Sequence, residues 1–120
     1  MNKTSHVGVV GLKSRKDFLR VQGKGKRFKS RHLILLSHPQ TLAYARVGLT
    51  LSRHVGNAVT RNRIRRQLRT IIRLNSTIFS SVYDYVIIAS PKSAKAKYET
   101  IESELCYLLK LSKKTSYAPF

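Results

Sequence analysis

The residues with the densest chemical potential are Arg61-Asn62-Arg63-Ile64-Arg65-Arg66-Gln67-Leu68-Arg69. Arg61, Arg65, Arg69 and Arg73 stand four apart, and no Asp or Glu occurs between positions 18 and 83. On a helix, like charges at this spacing repel by roughly a few tenths of a kcal/mol each, so a solvated face ordinarily mixes signs. Against phosphate the same residues become favourable, because each guanidinium offers a planar, bidentate fork. The run therefore points to contact with a nucleic-acid backbone, and arginine rather than lysine suits contacts of defined geometry. Asn62 fits either a polar contact to RNA or a helix-start cap. Arg61 falls on the apolar side of the first turn, where it either snorkels outward or reaches a ligand.

The remaining candidates are weaker. Phe18, Phe28, Tyr44 and Tyr83 could stack on unpaired bases or fill a core. Phe18 stands out because Arg15, Lys16 and Arg20 surround it. His6, His32, His38 and His54 invite an acid–base reading for RNA cleavage, yet no partner is identifiable and none is at metal-ligand spacing. The five acids, Asp17, Asp84, Glu99, Glu102 and Glu104, form no carboxylate cluster near the basic run. There is no Gly-rich phosphate loop and no Cys/His zinc set. The chain reads as one that binds, with no catalytic side chains and no metal of its own expected.

Composition agrees. The 120 residues carry a formal net charge of +19, with 42% apolar residues. That is enough for one small core and argues against wholesale disorder. The lone Cys106 excludes an internal disulfide framework and favours a cytoplasmic setting. The longest clean apolar runs, Leu33 to Leu36 and Val86 to Ala89, are far too short for a bilayer. Val7 to Leu12 contains two glycines and runs into Lys13, which makes a poor export signal.

Residues 1–13 read as a flexible arm. Ser14 and Asp17 have capping-box spacing for a short helix that Gly23 and Gly25 stop. Residues 26–30 suit an edge strand. Residues 31–37 suit a stronger one, followed by a turn at His38-Pro39-Gln40. Residues 44–52 alternate, with Val47, Leu49 and Leu51 on one face. Gly56-Asn57 breaks that strand and caps a helix over 58–74. Its Ile64, Leu68, Ile71 and Ile72 fill one arc of about 100°, and Asn62, Arg65, Arg66, Arg69 and Arg73 fill the next. Residues 83–89 suit a strand covered on both faces. Residues 95–112 suit a second long helix, solvent-facing because it holds all three glutamates. A basic tail occupies 113–120. The order is α-β-β-β-α-β-α, a single-domain α+β sandwich with one four-stranded sheet.

The segment Arg46-Val-Gly-Leu-Thr-Leu-Ser-Arg-His-Val-Gly-Asn-Ala-Val-Thr-Arg-Asn-Arg-Ile-Arg-Arg-Gln-Leu-Arg69 resembles the signature of bacterial ribonuclease P protein subunits. Weaker agreement extends to Lys16-Asp17-Phe18 and to Asp84-Tyr85-Val86-Ile87-Ile88-Ala89. The resemblance implies a ribosomal protein S5 domain 2-like fold with a left-handed β-α-β crossover, where pattern alone predicts the right-handed form. It implies a subunit of an endoribonuclease holoenzyme that removes the 5′ leader from precursor tRNA. A catalytic RNA with bound Mg²⁺ does the chemistry, and no DNA or membrane partner is expected. Asn57, Arg61, Asn62, Arg63, Arg65, Arg66 and Arg69 are implied to dock on the catalytic RNA. Phe18, Arg53 and Lys92 are implied to hold the leader. His54 replaces a usual lysine, so charge there depends on pH. Gln22 and Leu36 stand where the family carries aromatics. Two alternatives remain open: an RNA-binding protein with no part in cleavage, and a protein-only ribonuclease using His32 or His54.

Overall fold

The computed structural model describes residues 9–116, with the side chains of 115 and 116 left aside. Residues 1–8 of the expected arm, His6 among them, and 117–120 of the expected tail lie outside the described residues. The elements run β1 (Val9–Gly11), α1 (Arg15–Lys24), β2 (Lys26–Lys29), β3 (Leu33–Pro39), β4 (Ala45–Leu51), α2 (Ala58–Leu74), β5 (Tyr83–Ala89) and α3 (Tyr98–Ser116). Short 3₁₀ turns occupy Arg53–Val55, Ser76–Ile78 and Pro91–Lys95.

Among the described residues the sheet has five strands in the order β1-β4-β5-β3-β2, not four. The extra strand is β1, inside the segment expected to be loose. It is only three residues long and pairs in parallel with β4, Val9 opposite Ala45. So short a strand has no alternation to read, and its partner lies far along the chain. Expectation and structure also part at three element ends. β3 runs on through His38 and Pro39, which pair with β5 beyond the point where β2 has ended, so the missing proline N–H has no neighbour on that side. α1 passes Gly23 and ends at Gly25. Residues 113–116, read as tail, complete α3.

The two faces of the sheet are covered differently. On one face, Leu33, Leu35, Val47, Tyr85 and Ile87 meet Ile64, Leu68, Ile71 and Ile72 of α2 and Ile101, Leu105, Leu108 and Leu109 of α3. Fully burying each such side chain stabilises by roughly 1.5–3 kcal/mol, so this face carries most of the fold. α3 is thus a core helix rather than a solvent-facing one. Two of its glutamates turn to internal partners: Glu102 accepts from Asn75, and Glu104 accepts from the Ser30 hydroxyl and the His32 backbone N–H. On the other face the smaller cluster is Leu12, Val21, Leu36 and Val86. There α1 contributes one buried residue, Val21.

Polar bonds hold α1 instead. Asp84 on β5 is 0% exposed. Arg46 of β4 grips it with two hydrogen bonds, Nε to Oδ1 at 2.9 Å and Nη2 to Oδ2 at 2.7 Å. Arg20 of α1 adds a third at 3.1 Å, and Asp17 bridges Arg20 and Arg46 at 2.9 and 3.0 Å. The Ser14 hydroxyl caps α1 by accepting from the Asp17 N–H, but the Asp17 carboxylate is committed to arginines and makes no reciprocal cap. The Asp84 hydrogen bond raises the Arg46 pKa above its ordinary value, so this guanidinium keeps its charge.

Candidate nucleic-acid interface

The long arginine helix forms because its start is doubly prepared. Gly56 closes the Arg53–Val55 turn at φ 152°, a conformation side chains disfavour, and a Cβ there would lie 3.0 Å from Thr60. Asn57 then caps α2, its Oδ1 accepting from the Thr60 N–H at 2.9 Å. Asn57 is therefore the cap, and Asn62 is not. Asn62 sits within the helix and accepts from Arg65 Nη1 at 3.0 Å.

The arginines divide by what they touch. Arg66, Arg69 and Arg73 are exposed, and Arg61 and Arg65 are half-buried. None of the α2 arginines comes within ion-pair distance of a carboxylate; among the described residues those pairs involve Arg20, Arg46 and His32. Arg61 carries a buried Nε without a hydrogen-bond partner. Arg63 behaves differently. It is half-buried, and its Nη2 donates to the Ala94 carbonyl at 2.8 Å, fastening α2 to the Pro91–Lys95 turn. That turn also packs against the Arg53–Val55 turn. Arg53, His54 and Lys92 are exposed on these two turns, so they gather at the end of the sheet where α2 begins.

Two features were not visible in the sequence. A groove of about 530 Å³ separates β1 from α2, with Arg65, Arg69, Arg73 and Lys13 along it and Val47, Leu49 and Ile72 beneath. Arg73 already lay on the four-residue ladder. Lys13 arrives only because β1 pairs with β4. The second feature is an open strip on the α1 face. The register aligns Gly48, Val86, Leu36 and Arg27 in one row across the sheet, and Thr50, Ile88, Ile34 and Lys29 in the next. α1 covers the first row, where Leu36 and Val86 are buried, and leaves Thr50, Ile88 and Ile34 half-buried. Phe18 of α1 points the tip of its ring at Gly48, where an added Cβ would come 2.3 Å from Cζ; it lines the groove beside β1 and packs, with Ile34 and Ile88, against the smaller cluster.

Of the other aromatics, Phe28 is buried in the core, Tyr83 packs beside Tyr85 and Tyr44 lies at the surface. Leu36 is buried beneath α1, and Gln22 is exposed. His32 Nδ1 lies against Glu104, so its partner sits 72 residues away. Among the described residues no three His, Cys, Asp or Glu side chains gather as metal ligands. No helix among the described residues is long and apolar enough to cross a membrane.

The arrangement matches known proteins. The family model described as Ribonuclease P matches residues 9–113. The ribonuclease P protein component of Syntrophus aciditrophicus is 36% identical over 98 residues, 82% of each chain. That of Lachnoclostridium phytofermentans is 38% identical over 102 residues, covering 85% of this chain and 88% of the relative. Among solved structures, the RNase P protein from Thermotoga maritima superposes with a TM-score of 0.77 at 28% identity, covering 84% of this chain and 96% of that one. The Staphylococcus aureus RNase P protein gives 0.78 at 26% identity, covering 86% and 94%. With its arginine helix, Gly-Asn-Ala turn and sheet all inside the matched span, the chain belongs to the ribonuclease P protein family and so to the machinery of tRNA processing.

Proposed function

We propose that this chain docks on the catalytic RNA of ribonuclease P through α2 and holds the 5′ leader of precursor tRNA along the strip beside α1. The observation that carries the reading is the row of α2 arginines with no carboxylate within ion-pair distance, on a protein of net charge +19. Asn57, Arg61, Asn62, Arg65, Arg66 and Arg69 face the catalytic RNA in this reading. Arg63 shapes the interface by fixing the turn that bears Lys92. Phe18, Arg53 and Lys92 border the leader path, and the half-buried Ile88 and Ile34 form its floor.

The bond-breaking chemistry and Mg²⁺ belong to the RNA in this reading, and the protein supplies no catalytic side chain. In this reading the β4-α2-β5 crossover takes the left-handed form that the resemblance implies. The deciding experiment adds the purified chain to the catalytic RNA and precursor tRNA at low Mg²⁺. Stimulated leader release is expected. Absence of stimulation would support an RNA-binding protein outside cleavage, and cleavage by the chain alone would support a histidine-dependent ribonuclease. Phe18→Ala should weaken precursor binding about tenfold while sparing mature tRNA, in keeping with the loss of one stacking contact.

A further inference from the structure

Eight residues, Lys24 to Arg31, hold five cations and no acid. They straddle β2, the last strand of the sheet, opposite the β1 edge. Within them Phe28 points into the core, while Lys26, Arg27, Lys29 and Arg31 are exposed. Charges on an edge strand commonly guard against strand addition, but that needs only one or two. Five like charges in so short a span repel one another, as on α2, and a phosphate chain relieves the repulsion.

The register says which chain. Arg27 lies opposite Leu36 and Lys29 opposite Ile34, so both share the α1 face with the leader strip. Lys29 ends the row that begins at Thr50 and crosses Ile88 and Ile34. Among the described residues the ion pairs join Asp17 and Asp84 to Arg20 and Arg46 and Glu104 to His32, and none involves Arg27 or Lys29. Three strand spacings span about 14 Å, which accommodates about four nucleotides at stacked spacing.

We infer that the β2 edge continues the leader path, with Arg27 and Lys29 taking phosphates of leader nucleotides beyond those lying over Ile88 and Ile34. This rests on the leader reading above and extends it: the protein senses leader length. Lysine and arginine without an aromatic at this edge suit contact with phosphate rather than with bases, so the preference is for length and not for sequence.

The test is the reconstituted holoenzyme carrying Arg27→Gln and Lys29→Gln, assayed with precursor tRNAs bearing leaders of about 3 and about 10 nucleotides. Losing two single-strand phosphate contacts should weaken long-leader binding about fivefold and flatten its log–log salt slope by about 1.4, leaving short-leader binding unchanged. Three results would overturn the inference. Equal loss for both leaders would make the edge a general attractor. Weaker assembly with the catalytic RNA would make it part of the docking face. No loss for long leaders, with aggregation of the variant, would make it edge protection. If the unaltered holoenzyme does not prefer precursor over mature tRNA, the leader reading itself fails. If it does and the variant behaves alike, only the extension fails.

Discussion

Two arginine clusters in this protein make opposite use of the same side chain. Arg20 and Arg46 meet Asp17 and the fully buried Asp84, so their charge is consumed within the fold and binds α1 to the sheet. The α2 arginines meet no carboxylate among the described residues, which leaves their charge free for the RNA contact proposed above. Placement of two aspartates, rather than the number of arginines, separates the structural cluster from the binding one. An arginine count along the sequence would have scored both as RNA-binding.

The largest effect should come from breaking the structural cluster. Asp84→Ala removes the buried acceptor that Arg46 and Arg20 share and leaves them only Asp17. Removing one partner of a buried pair costs about 3 kcal/mol, or a fall of about 10 °C in Tm for a domain this size. A thermal melt reads it directly. Because α1 has only Val21 buried beneath it, the loss should also free Phe18 and erase discrimination between precursor and mature tRNA. An unchanged Tm would show that apolar contacts alone hold α1.

Next comes the binding cluster, where stability and affinity should separate the other way. Arg65→Ala with Arg69→Ala should leave Tm unchanged or slightly higher, since repulsion falls and alanine favours helix. Affinity for the catalytic RNA should drop about tenfold or more, with a salt slope flatter by about 1.8 for two duplex phosphates. A stability loss comparable to that of Asp84→Ala would abolish the distinction between the clusters.

How much of this could be read in advance follows from the range of each signal. α2 was legible from end to end because a 17-residue helix repeats its period many times and its Asn57 cap is local. β1 was not, because pairing rather than pattern makes it a strand. The Asp84 cluster was not legible, because the partner Arg46 is 38 residues away in the chain. The open strip needed the register of four strands at once. The resemblance groups Arg63 with the docking residues. Its acceptor is a backbone carbonyl, which no side-chain pattern marks.

That last case gives a smaller prediction. Arg63→Ala removes one hydrogen bond to a carbonyl and should cost about 1 kcal/mol. Its effect on RNA binding should be milder than that of Arg65→Ala and should show little change in salt slope, because what is lost is the position of the turn bearing Lys92. A slope change as large as that of Arg65→Ala would return Arg63 to the phosphate-contacting set.

The smallest effect tests a third kind of pairing, outside both clusters. Burial by itself would raise the Glu104 pKa, but hydrogen bonds from Ser30 and His32 outweigh it and hold the carboxyl below its ordinary value. A depressed folded pKa gives stability that is fully present above the unfolded carboxylate range and is lost as pH falls through the folded value. Glu104→Gln should therefore lower Tm by a constant margin above about pH 5, and the margin should shrink below about pH 4. Melts across this range read the difference. A margin that grew in acid would mean that Glu104 is held neutral in the fold, and that the turn between β2 and β3 is fastened to α3 by something other than its charge.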